Sequence, residues 1–401
     1  MILKKVKVKD LGKVITGTTP PTKIKEYYAD EYNFIKPSYI EKNVRFFNES
    51  EEKLSELAKE KYINTFVPEL STCVVTIGSI GEKICLTKEL CLTNQQINTV
   101  IPNEKYDNMF VYYLLKYNLF KVKAANAGSS SGRENVNKST FENIEVEVPN
   151  LQIQKKIAKI LSAYDDLIEN NLKRIKLLEE SAELLYKEWF VNFRYPGCEN
   201  QIGSSGIPKD WNNIEVKQFG DVITGKTPST KKGEYYGGDV KFIKTPDMND
   251  SIYVIKTNQT LTEEGAKSQE KKCVPRNSIL VSCIGTVGVV SLTSELSQFN
   301  QQINALVPFE EEYAYYLYFK FKSLKETLEA LGSSGATMIN VNKGKFESIK
   351  ILNPDKKVIK LFYDQCDVVF RQILNLQYTN EKLVEARDIL IPKLITGEIE
   401  V

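Results

Sequence analysis

The sequence predicts an α+β protein built as an internal pseudo-two-fold repeat: two similar mixed α/β domains joined by two long helices that pair as an antiparallel coiled coil. Three observations predict it. Residues 11–28 read LGKVITGTTPPTKIKEYY and residues 219–236 read FGDVITGKTPSTKKGEYY, with twelve of eighteen positions identical at an offset of 208. Later blocks keep the order while the offset drifts to 205: Thr76–Gly81 with Cys283–Gly288, Asn94–Asn98 with Asn300–Asn304, Gly128–Gly132 loosely with Gly332–Gly335, Asn135–Lys138 with Asn340–Lys343. After each block lies a long seam of core positions stepping four and three, and a period near 200 is far too long for a solenoid.

Each copy opens with short β-like runs bounded by Gly, Pro, Asn and Asp: Val14-Ile15, Asn33–Ile35, Thr72–Ile77, Lys83–Leu86 and Ile97–Ile101 in the first. One helix-like segment follows, about Asn108–Val122, matched by about Tyr313–Leu331. The aromatics of Tyr313–Phe321 sit at helical spacing and read as core rather than as a base-stacking platform. A last strand, Ile144–Val148 or Ile349–Leu352, leads to a proline.

The first seam runs Ile157, Leu161, Tyr164, Ile168, Asn171, Ile175, Leu178, Ala182, Leu185, Trp189. The second runs Phe362, Cys366, Val369, Ile373, Leu376, Asn380, Leu383, Arg387, Leu390, Leu394, with Pro392 expected to end the regular helix. The helix-pair core is expected at Leu161, Ile168, Asn171, Ile175 and Leu178 against Val369, Ile373, Leu376, Asn380 and Leu383. Each seam carries one central asparagine, expected to fix register at a cost in stability and to lie close to the other. The resulting domains are 1–150, a first helical spacer 151–191, a Gly/Ser/Asn/Pro-rich linker 192–207, a second domain 208–354 and a second spacer 355–401.

Composition narrows the chemistry. The 401 residues include no histidine, which excludes Ser-His-Asp and Cys-His mechanisms, His-ligated zinc and a histidine general base. No two of the seven cysteines form C-x-x-C, so zinc ribbons and thioredoxin-like motifs are not expected, nor is any other metal site. The lysine-interrupted start MILKKVKVKD does not read as a signal peptide, and no apolar run reaches membrane length. A cytoplasmic protein with reduced thiols is the expectation. Net charge is weak: residues 1–150 hold 21 basic and 19 acidic residues, +2, and residues 208–354 hold 18 and 17, +1.

Two domains on long helices make a ruler. About 38 helical residues span roughly 57 Å, bounding two readers on B-DNA at roughly 17 base pairs apart. Further motifs are V-I-T-G-x-T-P at Val14–Pro20 and Val222–Pro228, I-P-x-x-W at Ile207–Trp211, P-x-L-x-x-Q-x-x-I-A-x-I-L at Pro149–Leu161, the helix exit Leu184–Phe190 and the ending Leu390–Ile399. In their order and duplication they resemble the specificity subunits of type I restriction–modification systems, over nearly the whole chain. The first domain lacks the I-P-x-x-W lead-in, and the second helix entry, Asn353–Lys357, lacks the Leu and Gln. The resemblance implies two target recognition domains, each reading one half of a split double-stranded DNA target. It also implies helices that dock two methyltransferase subunits, with endonuclease/translocase subunits as an optional addition. The chain would then be non-catalytic, S-adenosylmethionine being bound by the methyltransferase partner. The sequence itself carries no G-x-G-x-x-G, Walker A or N-P-P-Y motif.

Candidate DNA-contacting residues follow from side-chain chemistry. The turns Thr16-Gly17-Thr18-Thr19 and Thr224-Gly225-Lys226-Thr227 suit phosphate, and equally a plain turn with a cap; Lys23 and Lys231 follow them. Asn94–Gln96 and Asn300–Gln302 suit adenine edges, but two domains reading different half-sites share them, which favours a buried structural role. Loops that differ between the copies are better specificity candidates: Lys36 and Ser38 against Lys244, Thr245 and Asp247, and Ser130 and Arg133 against Ser334. Arg133 and Lys244 suit guanine O6/N7 best. Two rival readings remain. One is a magnesium-dependent nuclease of the P-D…E-x-K type on Pro246-Asp247 and Glu270–Lys272, which Tyr39 in place of Asp247 would deny to the first copy. The other is a duplicated scaffold that binds no DNA.

Overall fold

The computed structural model describes residues 1–401 except 42–43, 127–134, 199–202, 204–205, 249–250 and 334–338. Contacts divide it into two compact units, 1–170 with 380–401 and 171–379, so the division falls within both long helices.

The first unit holds an antiparallel four-stranded sheet in the order Gly12–Thr16, Ile97–Pro102, Thr72–Val75, Ile84–Leu86. Beside it, Lys53-Leu54, Tyr28–Ile35, Cys91–Thr93 and Phe66-Val67 form a mixed sheet in which only Tyr28–Ile35 and Cys91–Thr93 run parallel. Lys4–Lys7 pairs with Glu145–Val148. The second unit repeats the plan: Gly220–Thr224, Ile303–Pro308, Ile279–Ser282, Val290–Thr293 and Tyr253-Val254 in one sheet, Gln259–Leu261, Tyr236–Ile243 and Ser297–Phe299 in another, and Asn212–Glu215 with Lys350–Asn353.

The expected single helix before each long seam is two helices. Asn108–Tyr117 and Leu119–Ala124 break at Asn118, whose backbone N–H and side-chain amide both donate to Leu114 O, at 3.1 and 2.8 Å, capping the first helix. Ala314–Ser323 and Lys325–Gly332 break at Leu324, whose backbone N–H turns to Phe321 O at 3.1 Å, a tighter three-residue turn. Tyr313 to Phe319 and Phe321 are buried in the second core, as their spacing predicts.

The long helices are Leu151–Phe190 and Lys356–Thr396. Both start with a proline followed by a capping residue. Asn150 Oδ1 accepts from Ile153 N at 3.1 Å, and Asp355 Oδ1 from Lys357 N at 2.7 Å. Pro392 does not end the second helix, contrary to expectation; the helix runs on to Thr396. Buried Ile391, Leu394 and Ile395 hold the segment in the first unit's core, which offsets the lost N–H bond. Within each unit the helix segments meet in antiparallel sense. In the first, Asp165 meets Arg387 and Ile168 O accepts from Asn380 Nδ2 at 3.4 Å. In the second, Trp189 packs on Phe362 with ring centroids 5.9 Å apart.

All ten expected core positions are buried or half-buried. One neighbour is not as read: Asp165 rather than Tyr164 is the more deeply buried of the two. Asn171 belongs to the second unit and Asn380 to the first.

Candidate nucleic-acid interface

The repeated turns are built in the same way in both units. Thr16 and Asn98 are cross-strand partners, as are Thr224 and Asn304. The threonine hydroxyls therefore reach the amide oxygens, at 2.6 and 2.7 Å. Thr19 Oγ1 donates to Gln95 Oε1, and Thr227 Oγ1 to Gln301 Oε1 at 2.8 Å. Asn94 and Asn300 each close a local ring: Oδ1 accepts from the Gln96 or Gln302 backbone N–H, and Nδ2 donates to the side-chain oxygen of the same glutamine. Asn98 Nδ2 donates to Thr76 Oγ1 at 3.0 Å; Asn304 Nδ2 donates to Cys283 Sγ at 3.3 Å. Burial pushes the Cys283 thiol up to about 12, so that sulfur stays neutral as it accepts.

This geometry gives the turns an inward role. Gly17 N donates to Ile97 O and Thr18 N to Thr93 O; Gly225 N and Lys226 N donate to Ile303 O and Phe299 O. The glycines are required by crowding, not by a ligand. A Cβ at Gly17 would lie 2.2 Å from Asn94 O, and one at Gly225 2.2 Å from Asn300 O. These backbone donors thus have internal acceptors, and in the Asn-Gln-Gln runs Asn94 and Asn300 are buried while Gln95 and Gln301 are exposed.

The remaining described candidates lie on loops, apart from Ser38 in the 3-10 turn Pro37–Tyr39 and Thr245 and Asp247 in the short helix Thr245–Met248. Lys23, Lys226, Lys231 and Ser38 are exposed; Thr18, Lys36, Lys244 and Asp247 are half-buried; Thr245 is buried. Lys36 pairs with Glu52 at 2.7 Å and lies over the Phe34 ring. Asp247 organises its loop. Its carboxylate accepts from Lys244 N at 2.9 Å, Asn258 N at 3.1 Å and Asn258 Nδ2 at 2.7 Å. Among the described residues no group of three or more Asp, Glu or Cys is placed to hold a metal ion. Ser130, Arg133 and Ser334 lie outside the described residues.

Sequence reasoning missed the residues that seat these domains on the helices. In the first unit Asp165 accepts from the Tyr113 hydroxyl and from Arg387 Nη1, both at 2.5 Å. Arg45, almost wholly buried, pairs with Asp166 at 2.5 Å and Glu169 at 3.3 Å. In the second unit Gln377 brackets Tyr253, its Oε1 accepting from Tyr253 N and its Nε2 donating to Tyr253 O, both at 3.2 Å. The signal was Arg387 on an otherwise uncharged seam, which required a buried acid opposite it.

The family model for the type I restriction modification DNA specificity domain matches twice, over residues 3–180 and 208–386, once per repeat. The chain belongs to that family. Among similar specificity subunits, that of type I restriction enzyme HindI of Haemophilus influenzae is 32% identical over 324 residues, 65% of this chain and 71% of that protein. That of MjaIX of Methanocaldococcus jannaschii is 26% identical over 98% of this chain and 93% of its own length. The crystal structure of an S subunit from M. genitalium covers 98% of this chain and 96% of its own, with a TM-score of 0.58 at 16% identity, a likeness of fold. Each match spans one globular domain together with most of the long helix that follows it, and the repeated turns are common to both copies. No helix among the described residues is long and apolar enough to cross a membrane.

Proposed function

We propose that this chain is the sequence-specific DNA recognition subunit of a type I restriction–modification complex. Each domain reads one half of a split target, and the chain itself does no chemistry. The observation that carries this reading is the double family match, one per repeat, on domains whose shared polar residues are spent inward. Discrimination between bases then falls to the loop positions that differ, led by Ser38 and Tyr39 in the first domain and Asp247 in the second, while the lysine both copies share, Lys36 or Lys244, joins Lys23, Lys226 and Lys231 as a phosphate contact. Near-zero net charge suits a reader that shares DNA affinity with partners.

The long helices are the docking surface for two methyltransferase subunits in this reading. On the first long helix Leu177 and Leu184, seven residues apart, stay 64 and 63% exposed, apolar surface that the seam does not use. The methyltransferases would hold S-adenosylmethionine and flip the target adenine; endonuclease subunits would join such a complex. Single-molecule sequencing of adenine methylation in the host tests this. A bipartite motif that vanishes when this chain is deleted is the expected result, and an unchanged methylome would refute it.

A further inference from the structure

The internal repeat contains its own control. At the offset of 205 that relates Pro149 to Pro354, Asp165 corresponds to Phe370 and Arg387 to Ala182. In the second unit Phe370 and Ala182 lie in one apolar core, with Phe370 stacked on Tyr315 at 4.2 Å. This seam can therefore be closed without a buried ion pair, its tyrosine–carboxylate bonds, Tyr315 to Asp367 at 3.0 Å and Tyr318 to Glu179 at 2.7 Å, reaching part-exposed acids instead. The first unit instead buries an ion pair, Arg387 0% and Asp165 1% exposed, and desolvation makes such a pair a poor source of stability. Its carboxylate also accepts from Tyr113, on the recognition domain's helix, so one bonded chain joins the domain to both long-helix segments of its unit. Arg45 with Asp166 and Glu169 adds a second bonded row between domain and helix. Hydrogen bonds are directional where apolar contacts can slide.

We infer that Tyr113, Asp165 and Arg387 are positioning residues that hold the first recognition domain at one angle on its helices, and so fix the register in which its half-site is read. The inference rests on the DNA-recognition reading above. The test uses the full chain assembled with its methyltransferase partners and compares methylation of DNAs whose spacer is native or one base pair longer or shorter. The variant carries the second unit's own residues, Asp165→Phe with Arg387→Ala. Discrimination against the altered spacers should fall roughly tenfold, the scale of one strong interaction, with both half-site sequences unchanged. Tyr113→Phe, which removes a single hydroxyl, should move it in the same direction by less. A folded double variant with wild-type spacer discrimination overturns the inference. If the double variant does not fold, Tyr113→Phe with wild-type discrimination overturns it. A wild-type complex with no bipartite preference at all would instead refute the proposed function.

Discussion

The two units close the same seam with different chemistry. The first uses a buried Tyr113–Asp165–Arg387 chain and an Arg45 clamp. The second uses packed aromatics, Tyr315 stacked on Phe370 at 4.2 Å and Phe190 edge-to-face with Phe362 at 4.9 Å; its carboxylates, Asp367 and Glu179, accept from Tyr315 and Tyr318 and stay partly exposed on the rim. Duplicated domains thus keep their scaffold turns nearly atom for atom while their attachment diverges. The turns are constrained by close backbone packing, whereas a helix seam accepts any set of groups that fills it and leaves no polar atom unpaired.

The largest expected effect breaks the charged side. Arg387→Ala leaves the buried Asp165 carboxylate without its counter-ion, with only the Tyr113 hydroxyl still donating to it, at a cost of about 3–5 kcal/mol. Hydrogen exchange should show protection lost in 1–170 and 380–401 while 171–379 stays protected; uniform loss would contradict separate cores. Moving the second unit's solution into the first, Asp165→Phe with Arg387→Ala, should restore stability to within about 2 kcal/mol of wild type in urea unfolding. A loss as large as that of the single variant would mean that the two seams are not interchangeable. Gln377→Ala removes both bonds to Tyr253 and should cost the second unit about 1–3 kcal/mol, by the same measurement.

The smallest effect is a pH slope. Burial, and then the Arg387 guanidinium, pull the Lys116 ammonium down to about 8, against opposing pulls from Asp165 and Asp388. The unfolded chain keeps that proton to about pH 10.4. The penalty is therefore complete below pH 8, and the first unit should gain stability as pH rises from 8 toward 10. Lys116→Met should flatten that part of the unfolding profile; an unchanged slope would assign it to another group.

Much of this was legible in the sequence, because a tandem repeat announces its domains and a four-three seam its helices. The burial of Asn94 was legible too, since residues shared by two readers cannot carry their difference; the exposure of Gln95 was not. Asp165 was legible only through Arg387, whose place on the seam demands an acid opposite it; next to Tyr164 the acid by itself looks solvated. The helix running through Pro392 was not legible, because its support comes from packing remote in sequence. The helix breaks at Asn118 and Leu324 depend on local hydrogen bonding that hydrophobic spacing does not report.

The central claim is that two diverged loops on one scaffold read two independent half-sites. Replacing Lys244–Asp247 with the residues of Lys36–Tyr39, and mapping adenine methylation by single-molecule sequencing, tests it most directly. The account predicts that one half of the bipartite motif changes or is lost while the other half is still required. A motif altered in both halves, or in neither, would contradict it.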